Sequence, residues 1–564
     1  MQQLPDLSGA GVSARHLTLT VSQKPLIEDA SFAVPTGRTV ALVGRNGSGK
    51  STLLETIAAQ ARAGSPPQHV AVEGELRLGP GTRVAILPQN PQVTSTGSVE
   101  EYLDDCAGEV SLAWNQHEHW SARLGDGGEE ALQRYGEALE TMQRLGAWDY
   151  PQRRREVVSG LGLDQELLSR PLRSLSGGEA TRAALAGVLL SPANLILLDE
   201  PTNNLDFASL AFLSRWVVAS EAGILVVSHD RDFLDQTVGE ILEVEERTNR
   251  MRHYGGSYSF YEARREEEFA AQLRAYEEQE GKRRRLETSI GQISERADRF
   301  QNTSQNDYYR HRGAKVAKQA RAQATRVERE LNRVSEPKPP MPPRFIVLPP
   351  AITGGTLFRA TGLTFGYGEP LFSDLDLTVG AGERTAVIGA NGSGKTTLIS
   401  VLAGELEPER GELWRAQGLR LGRLRQVQLD LVPRETLLEH VLRLQPAPAE
   451  ELRAILGKVL FRDPASMRAS EVSEGELRRA ECAALFASAP DLIVLDEPTN
   501  HLDLPTIDML EQALGEFKGA VLAVSHDRRF LRRLRPQALI EFGTGSVAHR
   551  LRVDERDLEM VLAG

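Results

Sequence analysis

The sequence predicts an α/β protein in which two P-loop domains are joined by an antiparallel α-helical hairpin. Two near-identical glycine-rich sequences, VALVGRNGSGKSTLL (40–54) and TAVIGANGSGKTTLI (385–399), each follow the apolar pattern of a strand. Two near-identical strands with acidic ends, LILLDEPTNNLD (195–206) and LIVLDEPTNHLD (492–503), come later in each copy. A basic segment with helical periodicity separates the copies. A sequence written twice around such a segment indicates two domains and a linker.

The composition is that of an ordinary globular protein with more than one domain. The chain has 564 residues, of which 40% are hydrophobic and 26% are charged, and this length exceeds what one core organises. Cys106 and Cys482 lie far apart and outside any CxxC, so disulfide frameworks, zinc sites and iron–sulfur sites are not expected. The sequence shows neither a secretory signal nor an apolar run of about 18 residues. We therefore expect a cytoplasmic protein.

The spacing between equivalent residues locates the differences between the two copies. Lys50 and Lys395 are 345 residues apart, Gln89 and Gln426 are 337 apart, and Asp199 and Asp496 are 297 apart. The difference between the last two offsets leaves 40 extra residues in the first copy, somewhere within about 95–150; a family resemblance described below implies that they form a helical arm. The predicted organisation is a first domain over 1–244, a linker over 245–345 and a second domain over 346–564.

The pattern G-x-x-x-x-G-K-[ST] predicts a loop that cradles the phosphates of a nucleotide. Its glycines let successive backbone N–H groups turn toward the β-phosphate, and the following helix adds its positive end. Lys50 and Lys395 should reach the β- and γ-phosphates, and Ser51 and Thr396 should ligate Mg²⁺. The predicted ATP-binding residues are Gly44, Arg45, Asn46, Gly47, Ser48, Gly49, Lys50, Ser51 and Thr52 in the first copy, and Gly389, Ala390, Asn391, Gly392, Ser393, Gly394, Lys395, Thr396 and Thr397 in the second.

The acidic strand ends predict the metal and the catalytic carboxylates. We expect Asp199 and Asp496 to hold Mg²⁺ through water, and Glu200 and Glu497 to orient the attacking water. His229 and His526 follow a further apolar run in each copy, where they are candidates to contact the γ-phosphate.

The segment SLSGGEATRAALAGVLL (174–190) resembles the signature of ABC ATPases, because LSGGE stands about twenty residues before the acidic strand. In that family, glutamines at the positions of Gln89 and Gln426 contact Mg²⁺. The resemblance also implies a head-to-tail arrangement, in which the signature of one half completes the ATP site of the other. The residues implied are Ser176, Gly177 and Gly178 in the first signature, Ser473 and Gly475 in the second, and Tyr367 as an adenine-stacking ring.

Two such domains without membrane spans, each containing DEPTN-x-LD, closely resemble the ABC-F family of ribosome-associated ATPases. YGGSYSFYEARR (254–265) resembles that family's entry to its interdomain linker, and RYGEALETMQRLGAWDYPQRRREVVSGLGL (134–163) resembles helices of its inserted arm. The resemblance implies an ATPase that binds rRNA and approaches the P-site tRNA, and a monomer whose ATPase domains pair within one chain. It leaves open whether the protein is a housekeeping translation factor or clears ribosome-targeting antibiotics.

The central segment has the periodicity of two helices that pack along a seam. Apolar residues recur at 286, 290, 293, 297 and 300, and again at 316, 320, 324, 327, 331 and 334. The polar stretch 301–313 should join the helices, and EPKPPMPPR (336–344) should end the second. The first helix is expected over about Tyr258 to Phe300.

This segment is also strongly basic within an acidic protein. Residues 282–334 contain 14 Lys and Arg and 6 Asp and Glu, a balance of +8, whereas the whole chain carries −12. Such an imbalance on one element suits a polyanion such as RNA, although a charge run is more often a solvated helix face. Aromatic side chains near the tip are candidates for stacking on bases. The candidate RNA contacts are Phe300, Tyr308, Tyr309, Arg310, Arg312, Lys315 and Lys318.

Two alternatives from other functional classes remain at this point. One is a DNA-associated repair or chromosome-maintenance ABC ATPase, although the coiled coils of such proteins are inserted inside one ATPase domain and are far longer. The other is the ATPase pair of a transporter with a separate membrane partner.

The second signature departs from the family pattern. It reads VSEGE (472–476), with Glu474 where the first copy has Gly177. A carboxylate beside a triphosphate is unfavourable in a water-poor site. Val21 also stands roughly where the second copy has Tyr367. We therefore expect the Lys395 site to bind ATP more tightly and to hydrolyse it faster than the Lys50 site.

Overall fold

A computed structural model of the chain describes residues 11–88, 97–124, 128–245, 248–301, 318–319, 322–323, 325–327, 344–424, 432, 434–460, 463–500, 502–542 and 548–563. The chain divides into two compact units. One unit comprises Met1–Tyr258 and Arg344–Gly564, and therefore contains both P-loop halves; the other is Ser259–Pro343.

The first half, residues 11–255, is built on a six-stranded sheet and a three-stranded antiparallel sheet. The large sheet has the order β5-β6-β7-β3-β8-β9 and is parallel except for β9 at its edge, whereas the small sheet has the order β2-β1-β4. The strands are β1 (Gly11–Val21), β2 (Lys24–Pro35), β3 (Thr39–Gly44), β4 (Val70–Leu78), β5 (Val84–Leu87), β6 (Leu195–Asp199), β7 (Gly223–Val227), β8 (Glu240–Val244) and β9 (Met251–Gly255).

Helices connect these strands and cover the large sheet. Every residue of β6 and of β7 is buried, as expected for central parallel strands with both faces covered. The helices are α1 (Lys50–Ala63), α2 (Val99–Ala107), α3 (Glu109–Ser121), α4 (Gly128–Leu145), α5 (Tyr150–Gly160), α6 (Gln165–Ser169), α7 (Gly177–Leu190), α8 (Phe207–Ala219) and α9 (Arg231–Thr237), and 3₁₀ turns lie at Ala147–Asp149 and Leu172–Ser174.

The linker between the halves begins with one long helix, α10 (Tyr258–Gln301). Its bounds match the prediction, and its 44 residues make it on the order of 60 Å long. Leu286, Ile290 and Ile293, which the periodicity assigned to the seam, are half-buried, whereas Arg284 and Arg285 are exposed. The described fragments 318–319, 322–323 and 325–327 are helical as well. The pairing of the two helices as a hairpin stays a prediction.

The second half, residues 344–563, repeats the architecture of the first. Its sheets have the orders β14-β15-β16-β12-β17-β18 and β11-β10-β13. The strands are β10 (Thr356–Tyr367), β11 (Glu369–Gly380), β12 (Arg384–Gly389), β13 (Arg410–Arg415), β14 (Leu421–Leu424), β15 (Leu492–Asp496), β16 (Ala520–Val524), β17 (Ala538–Phe542) and β18 (Ala548–Arg552). The helices are α11 (Lys395–Ala403), α12 (Leu437–Leu444), α13 (Ala449–Leu460), α14 (Glu474–Ala487), α15 (Leu504–Glu516), α16 (Arg528–Leu534) and α17 (Glu555–Ala563), with a 3₁₀ turn at Ala469–Glu471.

Two helices of the first half lie where the sequence places its extra residues. Equivalent isolated bridges, Ser98 with Pro171 and Thr436 with Arg468, bracket the corresponding segments in the two halves. Between them the first half contains α3 and α4, which pack against each other. In the second half only residues 445–448 separate α12 from α13. The extra residues of the first half therefore correspond to the pair α3 and α4, and their role as an arm stays a prediction.

A buried ion pair joins the two P-loop halves. The Arg231 side chain, at the start of α9, is 1% exposed and binds two carboxylates of α15. Its Nη1 donates to Oδ1 of Asp508 at 2.8 Å and to Oε2 of Glu511 at 3.2 Å. Burial raises the pKa of Glu511, and Arg231 opposes that shift. For Arg231 itself, burial acts to lower the pKa, but the neighbouring carboxylates outweigh burial and raise it. The buried carboxylate of Glu511 thus has Arg231 as its main compensating charge, with a smaller contribution from Arg533.

Replacing Arg231 with methionine is expected to lower the free energy of unfolding by about 3 kcal/mol. Removal of one partner from a buried pair leaves the other charge uncompensated, and the lower end of the usual range applies because Asp508 is largely exposed. Urea denaturation at pH 7 measures the change. The matched control is Arg528→Met, at the equivalent position of the second half. There the guanidinium lies over the Phe207 ring and, among the described residues, makes no hydrogen bond to a carboxylate, although its charge acts on Asp230; about 1 kcal/mol is expected. Equal losses would contradict the role assigned to Arg231.

Within the part of the chain that the structure describes, no helix combines the length and the apolar character needed to cross a membrane.

Candidate active site

The two phosphate loops connect a buried central strand to a helix N-terminus. In the first half the loop joins β3 to α1, and Nζ of Lys50 donates to the carbonyl oxygens of Gly44 at 2.7 Å and Arg45 at 3.0 Å. Nζ of Lys395 makes the same two bonds, to Gly389 and Ala390, both at 2.8 Å. Both lysines are buried, and burial lowers their pKa. Each lysine thus lies along its own loop, and its reach to the β- and γ-phosphates stays a prediction.

Glycine is required where each loop enters its helix. Gly49 and Gly394, the N-caps of α1 and α11, have φ of 93° and 100°, a left-handed conformation that disfavours side chains. A Cβ on Gly49 would also lie 2.8 Å from Cβ of Leu26. The loop hydroxyls of Ser48 and Ser393 are buried and have no hydrogen-bond partner among the described residues. Both loops therefore fit a phosphate group, which would supply the missing acceptors.

The two aspartates that we expect to hold Mg²⁺ are the last residues of the two strands that approach the phosphate loops. Asp199 and Asp496 are the last residues of β6 and β15, and both are buried. Thr396 Oγ1 donates to Oδ1 of Asp496 at 3.2 Å, while Oδ2 of Asp496 has no partner among the described residues. Burial raises the pKa of both aspartates, and hydrogen bonds from Ser51 and Thr396 oppose that shift. A hydroxyl beside a carboxylate at the phosphate end of the loop is the donor set that Mg²⁺ accepts.

The next residue of each strand has a strained backbone. Glu200 and Glu497 have φ of 51° and 46°, a region that costs a non-glycine residue about 1–2 kcal/mol. Their N–H groups donate to the carbonyl oxygens of Val227 and Val524 at 2.8 and 2.9 Å, which ties the turn to the neighbouring strand. The same strain in both halves directs a carboxylate away from the strand and toward the loop lysine, in agreement with a functional constraint.

Burial changes the acidity of these two glutamates. It raises the pKa of Glu200 to about 8 and that of Glu497 to about 7, although Lys50 and Lys395 act to lower them. A carboxyl group with a pKa near neutral is suited to exchange a proton with water during a reaction. The geometry and the acidity of Glu200 and Glu497 therefore both fit a general base.

Each glutamate is accompanied by the histidine predicted from the repeat. Nε2 of His229 lies 3.2 Å from Oε1 of Glu200, and Nε2 of His526 lies 3.5 Å from Oε1 of Glu497. The backbone N–H of His526 also donates to Oε2 of Glu497 at 3.3 Å. Burial, with a smaller contribution from Lys395, lowers the pKa of His526 to about 3, so its ring is neutral. A neutral ring can orient a carboxylate, or donate to a phosphate oxygen, without adding a buried charge.

The signature sequences begin α7 and α14 with a capping box. Ser176 accepts from the N–H of Glu179, whose side chain accepts from the N–H of Ser176, and Ser473 and Glu476 make the same exchange. The serine and the glutamate of LSGGE thus stabilise the start of the helix. The glycines between them begin α7 and leave its first turn open to a neighbouring group.

The first signature and the second phosphate loop line one cavity. Its volume is about 380 Å³, and its walls include Ser176, Gly178, Asn391, Gly392 and Glu497. Nδ2 of Asn391 donates to the carbonyl oxygen of Asn204 at 2.7 Å, which joins the loop of the second half to the segment after β6 in the first. This is the head-to-tail arrangement that the resemblance implied.

The second signature and the first phosphate loop are in closer contact. A Cβ on Gly475 would lie 2.9 Å from Cβ of Asn46, whereas one on Gly178 would meet only Asn204 within 4 Å among the described residues. The backbone N–H of Asn46 donates to Oδ2 of Asp503 at 3.3 Å. The loop arginine, Arg45, lies 3.9 Å from the same carboxylate. The two composite sites are thus not equivalent.

Asp503 was not identified as a site residue from the sequence, although it ends the DEPTN-x-LD pattern. It caps α15 through the N–H of Thr506, and its Oδ2 also accepts from Nη2 of Arg479 at 3.3 Å. These bonds, with Arg479 as the largest contribution, hold its pKa below the usual value despite burial. The signal was the repetition of the aspartate itself, at Asp206 and Asp503.

The remaining predicted site residues fall into two groups. Tyr367 ends β10 with 73% of its surface exposed and packs edge-on against Phe365, so its ring is accessible for stacking. Phe300 lies in α10, and Lys318 is an exposed residue of a helical fragment. The predicted residues that lie outside the described part of the chain are Gln89, Gln426, Tyr308, Tyr309, Arg310, Arg312 and Lys315; Glu474 begins α14, but its side chain is not described.

Comparison with known proteins identifies what the two halves resemble. A family model described as ABC transporter matches residues 27–203 and 372–500, which include both phosphate loops, both signatures and both acidic strand ends. The Escherichia coli (strain CFT073) protein named "Probable ATP-binding protein YheS" is 34% identical over 516 residues, which cover 90% of this chain and 75% of that protein. The mouse "ATP-binding cassette sub-family F member 3" is 31% identical over 535 residues, which cover 92% of this chain and 70% of that protein.

Solved structures share the twin architecture. A structure described as "RNase-L Inhibitor" has a TM-score of 0.56 at 19% identity and covers 98% of this chain and 93% of its own. A second, described as "Model of ribosome-bound archaeal Pelota and ABCE1", has a TM-score of 0.56 at 20% identity and covers 96% of this chain and 80% of its own. At these identities the similarity is one of fold.

Proposed function

Because this chain belongs to the ABC-F family of twin ABC ATPases, we propose that it binds the ribosome and couples ATP hydrolysis to an action on translation. The observation that carries the proposal is the combination of a head-to-tail ATPase pair with a long helical linker whose sequence is basic. The archaeal structure with the same twin fold is described as ribosome-bound. A protein that works on ribosomes acts in the cytoplasm.

The chain is an ATPase, and the site geometry supports the following roles for its residues. ATP with Mg²⁺ supplies the γ-phosphoryl group and neutralises part of its charge. We assign to Lys50 and Lys395 the binding of the phosphates, and to Ser51, Thr396, Asp199 and Asp496 the holding of the metal. Glu200 and Glu497 accept a proton from the attacking water, and His229 and His526 orient these glutamates. The signature serines and glycines close each site from the opposite half.

The linker is the element that we propose to contact RNA. Its balance of +8 over residues 282–334 contrasts with the −20 carried by the rest of the chain. Phosphate groups are the complementary partner for such a segment, and aromatic residues near its tip suit unpaired bases. The P-site tRNA and the rRNA around it present both features.

Neutralising the linker tip is expected to weaken ribosome binding and to reduce its dependence on salt. We consider the variant in which Arg310, Arg312, Lys315 and Lys318 are all replaced by glutamine. The slope of the logarithm of the binding constant against the logarithm of the salt concentration should become shallower by about three, because the lost phosphate contacts no longer release counterions. Binding to purified ribosomes between low and high salt measures the slope. ATP hydrolysis without ribosomes should stay within about twofold, since these residues lie outside the ATPase halves.

A matched control carries the same charge change on the ATPase halves. Lys24, Arg38, Arg62 and Lys518 are exposed there, and their replacement by glutamine should leave the salt slope nearly unchanged. If both variants change the slope equally, the effect belongs to net charge and not to the linker.

The nucleic acid that accompanies the protein tests the proposed partner. A hydrolysis-deficient form, isolated with ATP from a lysate, should bring rRNA with it; recovery of DNA instead would support a repair or chromosome-maintenance role. Cryo-electron microscopy of that form on ribosomes, with and without a bound drug, would then distinguish a translation factor from one that dislodges antibiotics.

A further inference from the structure

The sequence SHDR occurs in both ATPase halves, and its arginine has different surroundings in each. Arg231 binds Asp508 and Glu511 on α15. Arg528, its equivalent 297 residues later, begins α16 and lies with its guanidinium carbon 5.5 Å from the centre of the Phe207 ring. The same motif thus places a cation at two equivalent positions between the halves.

The two carboxylates that bind Arg231 have no counterpart at the equivalent positions near Arg528, although the charge of Arg528 acts on Asp230. The residues of the first half that are equivalent to Asp508 and Glu511, 297 positions earlier, are Ala211 and Ser214 on α8. Both residues line a cavity of about 370 Å³ between α8, α9 and the start of α16, and Arg528 lines it as well. The cavity therefore lies where small residues replace two longer acidic side chains.

The cation in this cavity is incompletely satisfied by the protein. Nε of Arg528 is buried and has no hydrogen-bond partner among the described residues. The adjacent ring of Phe207 compensates a guanidinium less well than a carboxylate does. Asp232 also lines the cavity, but it accepts from Nη1 of Arg532 at 2.8 Å. Arg215 contributes a second cation to the wall, so the site favours an anion.

We propose that this cavity binds a small carboxylate with a short apolar body. The carboxylate binds Arg528 as Glu511 binds Arg231, and the apolar body packs against Leu210 and Phe233. The volume is at the lower end of the range for small-molecule sites, roughly 300–1,000 Å³, which limits the ligand to the size of a medium-chain fatty acid or an aromatic acid. This site adjoins the ATP cavity, which Leu210 also lines, and goes beyond the proposed function.

Such a ligand connects the two ATPase halves. It lies between α8 of the first half and Arg528 of the second, two residues after His526 of the Lys395 site. A ligand that binds only when the halves are joined stabilises that arrangement by its own binding free energy. The expected consequence is a concentration-dependent rise in the melting temperature of the full chain.

Calorimetric titration of the full-length protein with octanoate, and with octanol as a neutral probe of the same apolar body, tests the proposal. Octanoate should bind with a stoichiometry of one, and octanol should bind at least tenfold more weakly. Arg528→Met should weaken octanoate at least tenfold without changing octanol, and Arg38→Met, at an exposed position of the first half, should change neither. Equal binding of the two probes, or no loss with Arg528→Met, would overturn the proposal.

A second variant provides the missing carboxylates from the protein itself. The double change Ala211→Asp with Ser214→Glu introduces the acidic pair of α15 into α8. It should abolish octanoate binding while the melting temperature is maintained or raised, because Arg528 then has intramolecular partners. Retained octanoate binding in this folded variant would place the ligand elsewhere and refute the site. Failure of octanoate to bind the unchanged protein would refute it too, and would leave an acidic side chain of a protein partner as the occupant to examine.

Discussion

Replacement of both Glu200 and Glu497 by glutamine is expected to leave ATP binding nearly intact and to lower turnover by about 10²–10⁴-fold, the usual contribution of a general base. Glutamine has almost the same shape, and the turn is fixed by backbone bonds to Val227 and Val524. The amide cannot accept the proton of the attacking water. Single-turnover hydrolysis and equilibrium ATP binding, measured on the same preparation, separate the two effects.

The double variant should also remain in its closed, ATP-bound form. On the proposed function it should then stay on ribosomes and block translation in a cell-free system. A matched control is the pair Glu221→Gln and Glu516→Gln, which changes two exposed glutamates of the same two halves. Normal turnover by the Glu200 and Glu497 variant would refute the catalytic assignment, whereas lost turnover without translational arrest would refute only the ribosomal role.

The two single variants are expected to differ. Glu497→Gln should remove most of the turnover, and the turnover that remains in Glu200→Gln should be about tenfold larger than that in Glu497→Gln. The reason is that the Lys395 site combines Glu497 with the intact Ser176–Gly177–Gly178 signature. The Lys50 site faces the signature that contains Glu474. At that site the halves approach closely, because a Cβ added to Gly475 would lie only 2.9 Å from Cβ of Asn46. Steady-state hydrolysis by each variant, at saturating ATP, measures the shares. Equal losses would refute the asymmetry.

A compensating substitution tests the cause of that asymmetry. In the Glu497→Gln background, the remaining turnover comes from the Lys50 site, and Glu474→Gly should raise it several-fold by removing a carboxylate that opposes the triphosphate. Glu471→Gln, which changes an exposed acidic residue three positions earlier, should have no such effect. If Glu474→Gly also has no effect, the closer approach of the halves at this site limits turnover instead.

The repeat made most of the architecture accessible from the sequence. Two P-loops after apolar strands, two buried acidic strands and a helix from Tyr258 are local patterns, and each depends on residues close together in the chain. The structure contains β3, β6 and their counterparts at these positions, and α10 with nearly the predicted bounds. The position of the extra residues of the first half followed from a difference between two offsets, which again requires only counting along the chain.

The tertiary structure alone revealed the relations between the halves. Asp503 meets Asn46, and Arg231 meets Glu511, although each pair is separated by more than 250 residues. Such pairs depend on how two folded surfaces pack, and periodicity within either half carries no information about that packing. The left-handed backbone of Glu200 and Glu497 likewise arises from the bond between neighbouring strands. The sequence by itself thus determined the elements and their chemistry. The sequence predicted unequal ATP sites from Glu474, whereas the packing of the halves decided the contact between Gly475 and Asn46 and the different environments of Arg231 and Arg528, because a contact depends on the residue opposite as well as on the motif.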